Sequence, residues 1–515
     1  MKKILLLVPA ILLASVILHG QPAPTAANLG RQVQRSEDRM WADLDAYIRK
    51  VKTDWKINGL VVMVGDGSKV LFSKSYGWRD DEASEKVPMD ENTLFQIASV
   101  SKSFTTALVA SLVDEGKLKW DDRVVDILPD FRMYDPWVTE HMLVKDLSCH
   151  RTGLAGNEGA SIARLGYTKE EMMHMMRYMK PAYSFRGGYQ YNNHTFCVSA
   201  LIVEKLTGKT WEENIRERIY KPLGINGTFR GADYARAFTD HTASQPYGWS
   251  PDGGRMKVNR LTEDDVCAGV WAASEAAGGI ICTPADMFRW AQFHLNEGKV
   301  GEKQIISKKQ MKYLHTGLNI VGQSPIQTTL YGHGWLIEQT QKCRMIWHTG
   351  TNSGQISICV FIPELNRVIT INANTQVPNE PRFAIVRRAV DLMLGLEDYD
   401  YNAGYLAAWH RENDSPSPVK AAAPSPAPAA KSITGTYANG EWGDIEIGKG
   451  EKGLTVALVK PGFRFPLEHV DGNVFQFNSA STRFRIEFLF DVREQAYGLR
   501  YINTGATVLG TWERR

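Results

Sequence analysis

Segments patterned like β-strands gather near the two ends of residues 28–410, and segments patterned like helices fill the middle. At the start, residues 60–64 and 70–76 are apolar runs joined through Asp66 and Gly67, the signature of a hairpin. Late in the stretch, residues 331–338, 344–348, 355–362 and 367–372 again read as strands. Between them, residues 99–115 read as a helix, with Phe104, Leu108 and Leu112 at a spacing of four and Gly116 as a stop. Residues 194–207 read as another, closed by Gly208, and residues 383–396 as a late one. A chain that supplies strands only from its two ends must bring those ends together. The expected fold is α+β: an antiparallel sheet flanked by helices, with an all-helical subdomain inserted between its early and late strands.

The rest of the chain separates by composition. Residues 415–430 (SPSPVKAAAPSPAPAA) cannot form a core and read as a semi-extended linker. The expected division is a large α+β unit over 28–410, a linker over 411–432 and a small β unit over 433–515. In that last unit short apolar runs at 435–437, 445–447, 454–458, 475–477, 484–490 and 497–502 alternate with turn residues, which suggests a small barrel or sandwich. The first residues read as a secretory leader over 1–27: Lys2 and Lys3, then an apolar run over 4–18, then small and polar residues. That run is shorter than the roughly 20 residues a membrane-spanning helix needs, and no cysteine follows it to carry a lipid. The expectation is a periplasmic or secreted protein with no stable membrane span. Lys and Arg number 60 against 57 for Asp and Glu, a net charge of +3, so no single-sign field points to nucleic acid as a partner. The six cysteines are too sparse for a disulfide scaffold, and none stands in a Cys-x-x-Cys pair. No His-Glu-x-x-His or comparable spacing points to a metal, and no cofactor is expected.

Three short motifs carry the chemistry. Ser99-Val100-Ser101-Lys102 is an S-x-x-K at the start of the first central helix, where positions i and i+3 share a face and bring an amine toward a hydroxyl. Taken singly, Ser99 is an ordinary N-cap; a second S-x-x-K, residues 417–420, falls in the linker, where no rigid site can form. Tyr191-Asn192-Asn193 is a Y-x-N before the next helix, with rivals at Tyr437 and Tyr501 in the C-terminal unit. His348-Thr349-Gly350 ends an apolar strand and can lay its backbone beside a substrate, because glycine permits close approach. Its rival, His315-Thr316-Gly317, follows a polar helix. Met172-Met173-His174-Met175-Met176 is the pattern of helical core or of an apolar cleft wall.

In the order S-x-x-K, Y-x-N, H-T-G, these motifs resemble the set that marks penicillin-interacting serine enzymes. Residues 40–400 are similar to the class C β-lactamase and penicillin-binding-protein family, which includes D,D-peptidases, D-aminopeptidases and esterases. The stretches at 147–154 (LSCHRTGL), 277–280 (AGGI) and 331–335 (YGHGW) carry the same likeness, and the C-terminal unit resembles lipocalin-like β domains appended to such hydrolases. The resemblance implies an acyl-enzyme on Ser99, with Lys102 and Tyr191 as a coupled acid–base pair whose first proton acceptor the sequence leaves open. It implies that Asn193 orients Lys102 and the substrate amide, and that His348, Thr349, Gly350 and Thr351 line the substrate. The oxyanion would lie between the backbone N–H groups of Ser99 and Thr351. Many β-lactamases carry Lys where this chain has His348, and a histidine with an ordinary pKa of about 6.5 is a weak fixed cation at neutral pH. The expected function is therefore hydrolysis of amide or ester bonds in peptide-like substrates. The alternatives are a carboxylesterase or acyltransferase, a true β-lactamase, and, last, a non-catalytic penicillin-binding sensor. Nothing in the sequence sets the oligomeric state.

Overall fold

The computed structural model of the protein describes residues 36–81, 85–156, 167–230, 232–252, 255–261, 273–352, 354–413, 424–440, 443–451, 453–458, 462–479, 482–502 and 508–515. The expected leader at 1–27, the second S-x-x-K at 417–420, residues 414–423 of the linker and Cys267 lie outside the described residues.

Nine strands form one wholly antiparallel sheet. They are β1 (Gly59–Gly65), β2 (Val70–Asp80), β3 (Val87–Pro88), β4 (Asn319–Ser324), β5 (Gln327–Tyr331), β6 (Leu336–Thr340), β7 (Arg344–Asn352), β8 (Gln355–Ile362) and β9 (Arg367–Ala373). Their order across the sheet is β4-β5-β6-β7-β8-β9-β1-β2-β3. The early and late segments meet where β1 pairs with β9, from Leu60 opposite Ala373 to Gly65 opposite Val368. All seven residues of β1 are buried, because both faces of the sheet are covered. Leu60, Val62 and Val64 face one apolar layer and Val61 and Met63 the other, the period of two that a strand imposes.

One covering layer contains α1 (Glu37–Asp54), whose buried Leu44, Ile48 and Val51 pack in the same cluster as Ile385 and Val386 of the late helix over Glu380–Met393. The other contains α2 (Ser101–Asp114), α3 (His194–Thr207) and α4 (Pro284–Leu295). The late helix is α5, followed by α6 (Tyr401–Asn413). Helix α2 is buried almost all round, including Ser101, Lys102 and Ser103, as suits a helix at the centre of the layer rather than on its surface. The methionines at 172, 173, 175 and 176 are buried in this core, and His174 between them is exposed.

Two details of the strands differ from expectation. The run at 331–338 is not one strand: β5 stops at Tyr331 and β6 starts at Leu336. Gly334 turns the chain there with φ +74°, and a Cβ at that position would stand 2.9 Å from the Lys102 carbonyl oxygen. The turn lets Thr106 Oγ1 of α2 donate to the His333 carbonyl at 2.9 Å. Strand β7 also runs on past His348 to Asn352, so the H-T-G motif is extended backbone inside a strand.

The C-terminal residues form a closed barrel of eight strands, from Gly435–Ala438 to Val508–Arg514, in which the first pairs with the last through Tyr437 opposite Arg514. Its interior is Phe475, Phe477, Phe484, Ile486, Phe488, Tyr501 and Trp512, in the same contiguous core as the helical layer. Two of its strands, Phe463–Asp471 and Val508–Arg514, were not expected; the first contains Pro466, which argues against a strand. Among the described residues five cysteines are free and buried, and no helix is long and apolar enough to cross a membrane.

Candidate active site

Ser99 sits in a 3-10 turn, Ala98–Val100, that runs straight into α2. The residue before it, Ala98, holds φ at +48°, a left-handed conformation that costs an L-residue roughly 1–2 kcal/mol. That kink leaves Ser99 partly exposed while Ala98 and Val100 are buried. One helical turn on, Lys102 is fully buried. Its Nζ donates to Ser99 Oγ at 3.1 Å and to the Ala277 carbonyl at 2.9 Å, and lies 4.7 Å from the centroid of the Tyr191 ring and 5.3 Å from that of Phe196. Burial pushes the amine well below its ordinary pKa; the charge of Arg230 acts in the same direction, and Cys197 opposes it. A lysine in that position reaches its neutral, proton-accepting form at far lower pH than in water.

Tyr191 lies just before α3, its hydroxyl buried, without a hydrogen-bond partner among the described residues, and near enough to Ser99 for the serine to influence its pKa. Burial raises the phenol pKa and Ser99 lowers it slightly, so the ring is a neutral phenol that can donate and accept but is not a ready phenolate. The His150 ring lies 4.3 Å from Tyr191 and 4.4 Å from Tyr331, centroid to centroid. Asn193 stands half-exposed at the start of α3. The orienting contact on Lys102 comes from the Ala277 carbonyl, where Asn193 had been expected.

Strand β6 pairs with β7 only as far as Trp347, which leaves the edge of β7 from His348 to Asn352 without a neighbouring strand and turned toward the Ser99 turn. Gly350 is the point of closest approach: a Cβ there would lie 2.0 Å from the Ile97 carbonyl oxygen. Ser357 Oγ of β8 donates to that same carbonyl at 2.8 Å, so the turn carrying Ser99 and the β7–β8 pair are docked on each other. Thr351 is exposed and Thr349 half-exposed. His348 is buried behind them: Nδ1 lies 2.7 Å from the Thr349 carbonyl and Nε2 3.0 Å from the Tyr331 hydroxyl. A nitrogen facing a carbonyl must carry the proton, so Nδ1 donates and Nε2 accepts from Tyr331. Burial, then the charge of Lys102, lowers the imidazole pKa to about 3. His348 is therefore neutral, with both nitrogens spent inside the protein.

The family model described as Beta-lactamase matches residues 44–393. The chain belongs to the β-lactamase family. Its relatives include "Unguisins hydrolase ungD'" of Aspergillus campestris, 26% identical over 73% of this chain and 70% of that protein. Penicillin-binding protein 4 of Amycolatopsis lactamdurans is 25% identical over 56% of this chain and 74% of its own length. Among solved structures, the octameric penicillin-binding protein homologue from Pyrococcus abyssi superposes with a TM-score of 0.59 at 20% identity, covering 90% of this chain and 98% of that one. The protein is a serine hydrolase of the β-lactamase family.

In this family member the sequence motifs point to Ser99, Lys102, Tyr191 and the β7 edge, and the structure gathers all four in one place. Four contributors escaped the sequence reading. Ala277, His150 and Tyr331 belong to stretches that carry the family likeness without a role attached to any residue. Arg382, on α5, has no motif around it; its guanidinium reaches the Gly350 carbonyl at 2.6 Å. Among the described residues no group of three or more His, Cys, Asp or Glu side chains is placed to hold a metal ion.

Proposed function

We propose that the protein is an exported hydrolase that cleaves amide or ester bonds of peptide-like substrates through an acyl-enzyme on Ser99. The observation that carries this reading is the buried Lys102 amine, 3.1 Å from the Ser99 hydroxyl and held there by a backbone carbonyl. In its neutral form Lys102 takes the Ser99 proton as Oγ attacks the carbonyl carbon. The oxyanion settles between the N–H groups of Ser99 and Thr351. The Tyr191 phenol then passes its proton to the leaving nitrogen or oxygen and recovers one from the Lys102 ammonium; water or another acceptor, giving its proton to neutral Lys102, attacks the acyl carbonyl, and that proton returns to Ser99 Oγ as the acyl group is released. The raised phenol pKa favours Lys102 over Tyr191 as the first base.

The state of His348 favours a peptide or ester over a β-lactam carboxylate. A neutral imidazole with no free nitrogen offers no cation to that carboxylate, so β-lactams are expected to acylate slowly or to be poor turnover substrates. The test is intact-mass labelling with a fluorophosphonate and a penicillin on wild type and Ser99→Ala, followed by D-alanyl peptides against p-nitrophenyl esters. Labelling confined to the wild type, with turnover of peptides or esters, supports the reading. Unchanged activity in Ser99→Ala, or penicillin hydrolysis at the rates of dedicated β-lactamases, overturns it. Export is tested by the mature N-terminus, expected close to residue 27.

A further inference from the structure

Arg382 is a fully enclosed cation, 2% exposed. Its Nη1 donates to the Gly350 carbonyl at 2.6 Å and to the Ser357 carbonyl at 2.8 Å. Its Nη2 donates to Thr351 Oγ1 at 3.3 Å and to Asn379 Oδ1. Gly350 and Ser357 are register partners across β7 and β8, so one guanidinium nitrogen bridges the two strands opposite the Ser99 turn. The Gly350 carbonyl belongs to the same peptide unit as the Thr351 N–H. In a trans peptide these two bonds point in opposite directions. A charge-assisted hydrogen bond at the oxygen end withdraws density from the amide and makes its N–H the stronger donor, while also fixing the plane of the unit.

We propose that Arg382 is a positioning residue for oxyanion stabilisation, acting through the Gly350–Thr351 peptide: it orients and polarises the Thr351 N–H without touching substrate. The proposal rests on the Ser99 acyl-enzyme reading above. The enclosure of Arg382 separates it from a substrate-binding arginine, which would have to face solvent to meet a carboxylate. It also accounts for an arginine whose partners among the described residues, two backbone carbonyls and two neutral side-chain oxygens, include no carboxylate.

The experiment uses the full chain and the variants R382Q and R382K, each acylated with an isotope-labelled ester so that infrared difference spectra report the acyl carbonyl stretch. A weaker oxyanion donor leaves that stretch at higher wavenumber. The expected result is an upward shift in R382Q, a smaller one in R382K, and a fall in kcat of about two- to ten-fold with KM changed less. The fall should be equal for neutral esters and for substrates bearing a carboxylate. If R382Q does not fold, R382K is read by the same criteria. An unshifted stretch overturns the proposal even if kcat drops, since a merely structural role would alter the rate and not the carbonyl. Loss confined to carboxylate-bearing substrates overturns it in favour of direct binding. Failure of the underlying reading looks different: Ser99→Ala would then still form the labelled acyl adduct.

Discussion

The two halves of this protein bury different things. The barrel interior is aromatic and aliphatic; of its buried hydroxyls, Tyr437 donates to the Ile433 carbonyl at 2.7 Å and Tyr501 has no hydrogen-bond partner among the described residues. The catalytic unit encloses Lys102, Arg382, Arg388 and the histidines at 150, 194, 294, 333 and 348, with His315 half-buried beside His294. Burying ionisable groups works against stability, since each must be desolvated or held neutral. The catalytic unit holds a buried lysine and histidines away from their ordinary protonation, whereas the barrel's buried ionisable groups are Tyr437 and Tyr501, which burial keeps as the neutral phenols they are in water at pH 7. Substitutions in the first half should trade activity against stability. Those in the second should change stability alone.

The sharpest break in that contrast is Lys102→Met. It should lower the rate roughly a thousandfold or more while leaving the melting temperature unchanged or raised, because an apolar chain of similar length replaces a desolvated amine. A melting temperature several degrees lower would mean that Lys102 is structural. Tyr191→Phe comes next, with an expected loss of roughly a hundredfold to ten-thousandfold in kcat and acylation that survives better on esters with good leaving groups, read by burst kinetics. In the barrel, Phe484→Ala should cost about 3–5 kcal/mol in denaturant unfolding of the barrel without changing kcat per folded molecule; a kcat change would show the barrel shaping the cleft.

Acid provides a fourth separation. Six histidines of the catalytic unit are held neutral, four of them with pKa values near 3, whereas unfolded histidine titrates at about 6.5. Their folded values are depressed, so stability is fully present above pH 6.5 and is lost as the pH falls toward 3, by about 1.4 kcal/mol per pH unit for each histidine. The barrel's single histidine, His469, is exposed. Peptide-resolved hydrogen exchange between pH 7 and 4 should show the catalytic unit losing protection first; simultaneous loss would tie the two into one cooperative unit. The activity profile should likewise show one acid limb, from the depressed lysine, and none from His348. The smallest expected effect is Tyr437→Phe, about 1 kcal/mol for one lost hydrogen bond, measurable in the barrel transition alone.

How far the sequence could be read follows from the range of each signal. Helix α2 and the β1–β2 hairpin were visible because their apolar spacing and turn residues are local. The break at Gly332–Gly334 was not, since only the approach of that turn to α2 shows why two glycines interrupt an apolar run. Barrel strand Phe463–Asp471 was hidden by Pro466 and by exposure that does not alternate cleanly.

The order of residues sets the chemistry available: a serine and a lysine one helical turn apart, a tyrosine before the next helix, and a His-Thr-Gly strand. Those are short-range patterns, and short-range sterics and hydrogen bonding suffice to place each on its own element. The protonation states follow from packing instead. Lys102 is deprotonated more easily than in water because it is fully buried, and His348 is silent because Tyr331 and the Thr349 carbonyl occupy both its nitrogens. Burial and charge act through space, among residues as far apart along the chain as Lys102 and His348, and no local pattern of residues records that distance.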